Sequence, residues 1–257
     1  MGLSIAAGVA FFDSAPEGAR GPPLVLVHGA GGTHRHWPAS LRNLPGRRVL
    51  SVDLPGHGQA PPPGETTIEG YAQALLAMLD ALGIERAVLA GHSMGGAIAL
   101  TTAFDAPGRL AGLFLVGTGA RLRVAPAILE ASADPARFDE VARGLTSFAF
   151  GPGASEPLRA EHARSLAALP RGILHGDFAA CDRFDAMARI DSVRAPAFVV
   201  VGREDQLTPP KYSVFLRAHL PGDGMLEVPG AGHMVALEAP DEVTAAAASF
   251  LDRIREP

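Results

Sequence analysis

The stretch that most constrains the fold of this chain is Gly91-His92-Ser93-Met94-Gly95-Gly96. An apolar run, Ala87-Val88-Leu89-Ala90, precedes it, and Ala97-Ile98-Ala99-Leu100 follows. The pattern predicts a buried strand, a turn too tight for side chains, and a helix that begins one residue after a serine. Gly91 and Gly95 stand two residues before and two after Ser93, the spacing of a G-x-S-x-G elbow. In such an elbow the serine takes a strained backbone conformation, and larger neighbours would collide with the strand or the helix. A bare match is common in a chain rich in alanine and glycine. The flanking strand and helix give this one its weight.

The rest of the chain repeats that rhythm. Ser4 to Asp13 predicts a strand or hairpin broken at Gly8. Leu24-Val25-Leu26-Val27 is a continuous apolar run, as expected of a strand buried on both faces of a parallel sheet, and it ends in His28-Gly29-Ala30-Gly31-Gly32. Arg48 to Val52 is the next strand, closing in Asp53-Leu54-Pro55-Gly56-His57-Gly58. Thr66-x-x-Glu69 predicts a capping box. Behind it Ile68, Tyr71, Ala72, Leu75, Leu79 and Leu82 share one helical face, and Gly83 ends the helix. Further strands are predicted at Leu110 to Val116, Ala197 to Val201 and Met225 to Val228. A final helix has Pro240, Asp241 and Glu242 in its first turn, with Val243, Ala246, Ala247, Phe250, Leu251 and Ile254 on one face.

Between Arg121 and Asp185 the pattern changes to short helices separated by proline and glycine, with Asp134 and Ser155 as expected caps. The expected architecture is α/β: a mostly parallel, doubly wound sheet (residues 1–120 and 186–257) with an inserted helical lid, residues 121–185.

Composition narrows the partners. With 257 residues, 47% of them hydrophobic and 19% charged, the chain is long enough for a sizeable core. A net charge of −5 points away from nucleic acid and anionic membranes. Lys211 is the only lysine and Cys181 the only cysteine, so a disulfide framework or thiolate metal cluster within the chain is excluded. The apolar run Leu3 to Phe12 is too short to span a bilayer and no basic residue precedes it. A cytoplasmic, soluble protein is expected, with no metal and no cofactor; oligomeric state is left open.

A serine hydroxyl is a weak nucleophile near neutral pH and needs an adjacent base, itself oriented by an acid. Loops leaving the C-terminal ends of parallel strands converge on one edge of a sheet, so the partners should follow strands directly. Asp205 and His233 do so, in the order Ser93, Asp205, His233. Glu204 is the competing acid; as the neighbour of Asp205 its side chain should point elsewhere. With His28-Gly29, Asp53-Leu54-Pro55-Gly56-His57-Gly58, Gly202-Arg203-Glu204-Asp205 and Gly232-His233, these motifs make the chain resemble the α/β-hydrolase fold enzymes, in particular lidded esterases and enol-lactonases, over nearly its whole length.

The resemblance implies Ser93 as nucleophile, His233 as base and then acid, and Asp205 as orienter, with the backbone N–H groups of Ala30 and Met94 as the oxyanion hole. It implies bracing roles for His28 and His57. His92, Trp37, Arg121 and Arg123 are candidates for the substrate pocket, although core packing suits Trp37 as well and solvated positions suit the arginines. His162, His175 and His219 are expected on the surface or in the lid. The expected activity is hydrolysis of a small carboxylic ester or lactone through an acyl-enzyme. A C–C bond hydrolase, a perhydrolase, or a ligand-binding receptor-like protein with vestigial hydrolysis are alternatives. The absence of asparagine between Gly29 and Leu41 lowers the C–C option, and aspartate would stand at position 93 in a dehalogenase.

Overall fold

The apolar runs at Leu24–Val27, Ala87–Ala90 and Leu110–Val116 become strands because both of their faces are covered. In the computed structural model, which describes residues 2–222 and 224–254, the strands are β1 (Leu3–Ala6), β2 (Val9–Asp13), β3 (Leu24–Val27), β4 (Val49–Asp53), β5 (Ala87–His92), β6 (Leu110–Val116), β7 (Ala197–Gly202) and β8 (Gly224–Val228). They form one sheet in the order β1-β2-β4-β3-β5-β6-β7-β8. The β1–β2 and β2–β4 pairings are antiparallel and the others parallel.

Side chains alternate between two apolar layers. Val25, Val27, Leu89, Leu113 and Leu115 face one layer, while Leu24, Leu26, Val88, Phe114 and Val116 face the other. The first layer is covered by α2 (Ile68–Ala81), α3 (Met94–Asp105) and α8 (Pro210–His219), the second by α1 (Ala39–Arg42), α9 (Val235–Glu238) and α10 (Pro240–Arg253). Between β6 and β7 lie α4 (Pro126–Ala133), α5 (Phe138–Ala149), α6 (Glu156–Ala167) and α7 (Ile173–Arg183). These four helices bury a cluster of their own around Phe138, Val141, Leu166, Leu174 and Phe178. An isolated bridge between Arg121 and Asp185 ties the two ends of this segment together.

The sheet has a switch point. From β3 the chain runs outward to β4 on one side and then returns to β5 on the other, so the loops after β3 and β5 leave in opposite directions and open a crevice between them. The Gly29–Gly32 turn and Ser93 sit at that crevice.

Two caps differ from expectation. The N-cap of α2 is Thr67, whose hydroxyl accepts the N–H of Gly70 at 3.0 Å, so the box starting at Thr66 is displaced by one residue. Helix starts with adjacent threonines compete for the same orphan amides, and the one in extended geometry wins. Ser155 stands at the start of α6 but makes no side-chain cap hydrogen bond. Asp134 caps its short helix as expected, accepting from Ala136 at 2.9 Å. The single-turn helices α1 and α9 have too few residues to show a helical period.

Candidate active site

Ser93 lies between β5 and α3 with φ +52° and ψ −117°, outside the range most L-residues adopt. The elbow closes only with glycine around it: a Cβ at Gly91 would collide with the carbonyl of Gly95, and one at Gly95 with the carbonyl of Val27. Tertiary hydrogen bonds hold the strained residue. The Ser93 N–H donates to Val116 O at 3.0 Å, and its carbonyl accepts from the Thr118 hydroxyl at 2.8 Å and from Gly96 N–H at 2.9 Å. Met94 and Gly95 open α3, so their N–H groups have no acceptor within the helix, and the Ser93 hydroxyl does not cap them.

His233 follows β8 and Asp205 follows β7. The imidazole Nδ1–H donates to Asp205 Oδ2 at 2.9 Å, and the Thr208 hydroxyl donates to the same oxygen at 2.8 Å. Asp205 Oδ1 accepts the backbone N–H groups of Leu207 and Thr208, each at 2.9 Å. Burial alone would raise the Asp205 pKa. The imidazole and the Thr208 donors outweigh it and hold the carboxyl below its usual range. With Nδ1 committed to Asp205, Nε2 is the ring nitrogen left for the cavity side. Glu204 is exposed while Asp205 is 3% exposed.

The loop after β3 is braced from both sides. His28 donates from Nδ1 to Gly29 O at 2.8 Å and accepts the Leu54 N–H on Nε2 at 3.0 Å, which defines one neutral tautomer. Burial and the nearby His57 lower the His28 pKa to about 4. Gly29 lies so close to the elbow that an added Cβ would come within 3.0 Å of Ser93 Cβ. Beyond it, Gly31 (φ +63°) donates its N–H to Asp177 Oδ2 at 2.8 Å.

These loops enclose a cavity of about 140 Å³. Gly29, Ala30, Ser93 and His233 line its base, and Leu122, Val124, Ile128, Leu145, Leu166 and Phe178 line its walls. His92 also lines it, with Nε2–H donated to the His233 carbonyl at 2.9 Å. Burial and the neighbouring His233 lower the His92 pKa to about 3.

Other pocket candidates move. Trp37 is fully buried among Leu24, Leu26 and Leu41, in the apolar layer behind His92, and does not line the cavity. Its ring meets His92 edge-on at 6.5 Å, so it supports a lining residue from the core side. Arg121 is exposed, 3.5 Å from Asp185 at the foot of the helical segment, and is likewise no part of the cavity. Arg123 does line the cavity, with a largely exposed guanidinium that donates to the Asp182 carbonyl at 3.1 Å.

His162, expected on the surface or in the lid, lies on α6 of the helical segment and is buried in the cavity wall. Its Nδ1 lies 3.0 Å from the Thr146 hydroxyl, and its ring stacks on His36 with centroids 5.4 Å apart. Burial lowers the His162 pKa to about 4 and that of His36 well below its usual value. His175 is half-buried and reaches the Ser132 hydroxyl at 3.0 Å, while His219 is exposed beside Asp191.

Three polar residues escaped the sequence reading. Thr208 carries a local signal, an Asp-x-x-Thr spacing that lets the Asp205 carboxylate accept both the amide and the hydroxyl of Thr208. Glu238 accepts Gly232 N–H at 2.9 Å and Gly151 N–H at 2.7 Å, joining the His233 loop to the end of α5. Asp177 offered one clue, an acidic residue on the apolar face of α7.

Comparisons with known proteins identify the family and the fold. The profile of the alpha/beta hydrolase family matches residues 24–247. The dihydrolipoyllysine-residue acetyltransferase component of the acetoin cleaving system of Pseudomonas putida is 32% identical over 94% of this chain, which spans 66% of that protein. The pimeloyl-[acyl-carrier protein] methyl ester esterase of Neisseria meningitidis is 29% identical, covering 90% of this chain and 94% of the relative. The solved structure of a thermophilic esterase superposes with a TM-score of 0.81 at 31% identity, covering 96% of this chain and 94% of that one.

Proposed function

This chain belongs to the alpha/beta hydrolase family, and from that premise we propose that it is a serine hydrolase cleaving a small carboxylic ester. The observation that carries the reading is the convergence of the strained Ser93 and the Asp205-held His233 on one cavity. Ser93 Oγ attacks the carbonyl carbon while His233 Nε2 takes its proton. The oxyanion is held by the N–H groups of Ala30 and Met94. Collapse expels the alcohol, protonated by His233, and leaves an acyl-enzyme. Water, activated by the same imidazole, repeats the attack and frees the acid.

The lining favours a short, uncharged acyl group. Its walls are aliphatic, and His36, His92 and His162 are held neutral by burial. Arg123 at the exposed side is the one arginine or lysine among the described lining residues. Residues 121–185 act as the lid that shapes this pocket. We place the protein in the cytoplasm on its single buried cysteine; among the described residues no helix is long and apolar enough to cross a membrane.

The test is hydrolysis of p-nitrophenyl acetate and butyrate together with labelling by a fluorophosphonate probe. Both are expected for the wild type, and Ser93→Ala should abolish both. A well-folded wild type that neither turns over nor labels would overturn the proposal. An enol-lactone panel run beside the esters decides between ester and lactone: brisk lactone turnover with inert esters would transfer the assignment.

A further inference from the structure

Asp177 is fully buried, yet it belongs to α7, in the helical segment between β6 and β7. Three donors converge on its carboxylate from three separate parts of the core. Gly31 N–H reaches Oδ2 at 2.8 Å, His57 Nε2–H reaches Oδ2 at 2.8 Å, and the Tyr71 hydroxyl reaches Oδ1 at 2.7 Å. His57 also points Nδ1 at Pro55 O, 3.0 Å away. Both of its ring nitrogens therefore face acceptors, which suits an imidazolium paired with Asp177.

Gly31 N–H stands in the middle of a turn whose geometry matters to catalysis. The Gly29 carbonyl is held by His28 Nδ1–H at 2.8 Å and by Gly32 N–H at 3.0 Å. In a trans peptide this aims the Ala30 N–H the opposite way. The Gly32 hold depends on the turn staying closed through Gly31, where a positive φ leaves the chain little intrinsic preference for this shape. A rigid acceptor on Gly31 N–H supplies the missing restraint.

We propose that Asp177 is a positioning residue that clamps the Gly29–Gly32 turn through Gly31 N–H and so holds the Ala30 N–H in place for the oxyanion. This inference rests on the serine-hydrolase reading above. It makes the helical segment part of the catalytic machinery: α7 carries the acceptor, and the base loop is tied to α5 in a parallel way by Glu238.

The experiment compares variants for kcat, KM and binding of a boronic acid that mimics the tetrahedral oxyanion. The double variant His57→Phe, Asp177→Leu removes both charges together, so no lone ion is left buried. It should lower kcat about 10–100-fold with KM within about threefold, and weaken boronate binding in parallel. Asp177→Asn keeps one carbonyl oxygen for Gly31 and an amide for Tyr71, and should recover most of kcat. Should the double variant fail to fold, Asp177→Ser, too short to reach Gly31, should show the same kcat loss.

Wild-type kcat in a folded double or serine variant, a loss confined to KM, or an asparagine variant as slow as the leucine one would overturn the inference. Ser93→Ala separates the two levels. If it is inactive while the Asp177 variants turn over normally, only the clamp is refuted. If it keeps full activity, the hydrolase reading itself falls.

Discussion

Asp205 meets His233 through one oxygen and the protein backbone through the other. Oδ2 takes the imidazole N–H at 2.9 Å, while Oδ1 is anchored by two amides of the following turn. The carboxylate therefore cannot rotate without breaking bonds on both sides, and it fixes the imidazole ring and its tautomer together.

That anchoring predicts the effect of Asp205→Asn. The amide keeps the shape but reverses one hydrogen-bond role, favouring the wrong tautomer of His233. Turnover should fall by about 10²–10⁴-fold with thermal stability little changed. Glu204→Gln, on an exposed side chain, should leave ester turnover within about twofold. Steady-state kinetics on both variants checks the pair; near-normal activity in Asp205→Asn would assign the orienting role elsewhere.

The elbow predicts a trade between stability and activity. Ser93 is held at φ +52°, where glycine is at ease and serine is strained. Ser93→Gly should abolish ester hydrolysis while raising stability by roughly 1 kcal/mol, less whatever the lost hydroxyl contributes. Urea denaturation of the two proteins side by side measures it. A glycine variant clearly less stable than the wild type would mean that the backbone strain is not relieved.

Stability should fall on mild acidification. His28 and His162 titrate at about 4 and His92 at about 3 in the fold, against 6.5 when exposed, and His36 lies well below 6.5. Between about pH 6.5 and 4 the unfolded chain therefore binds more protons than the native one. Each such group then removes roughly 1 kcal/mol per pH unit as pH drops. His57 has the opposite sign: burial lowers its pKa but Asp177 outweighs that and raises it. Its contribution is complete below 6.5 and is lost as pH rises through the raised value. Asp53 and Asp205, both lowered, add stability above the usual carboxylate range that is lost only at lower pH. The urea midpoint should thus be lower at pH 5 than at pH 7; equal midpoints would contradict the neutral burial of these histidines.

Most strands and the positions of Ser93, Asp205 and His233 were legible because their signals are local: apolar runs, glycine spacing, and the rule that active groups follow parallel strands. The start of α2 slipped by one residue because Thr66 and Thr67 offer the same cap chemistry. Trp37 and His162 were left between two placements for a different reason. An aromatic ring or imidazole reads alike from either side of a sheet, and only packing assigns Trp37 to the layer behind His92 and His162 to the cavity wall.

By itself the sequence determined the strand–turn–helix elbow and the placing of Ser93, Asp205 and His233 directly after strands. Steric exclusion at Gly91 and Gly95 and hydrophobic period act over a few residues, so they can be read from a few residues. Only the tertiary structure decided what closes the pocket and what the Gly29–Gly32 turn is bonded to. Gly31 and Asp177 are 146 residues apart, and their hydrogen bond exists because α7 docks over the β3 loop. Such docking is set by the fit of whole apolar surfaces, which no short stretch of either segment encodes.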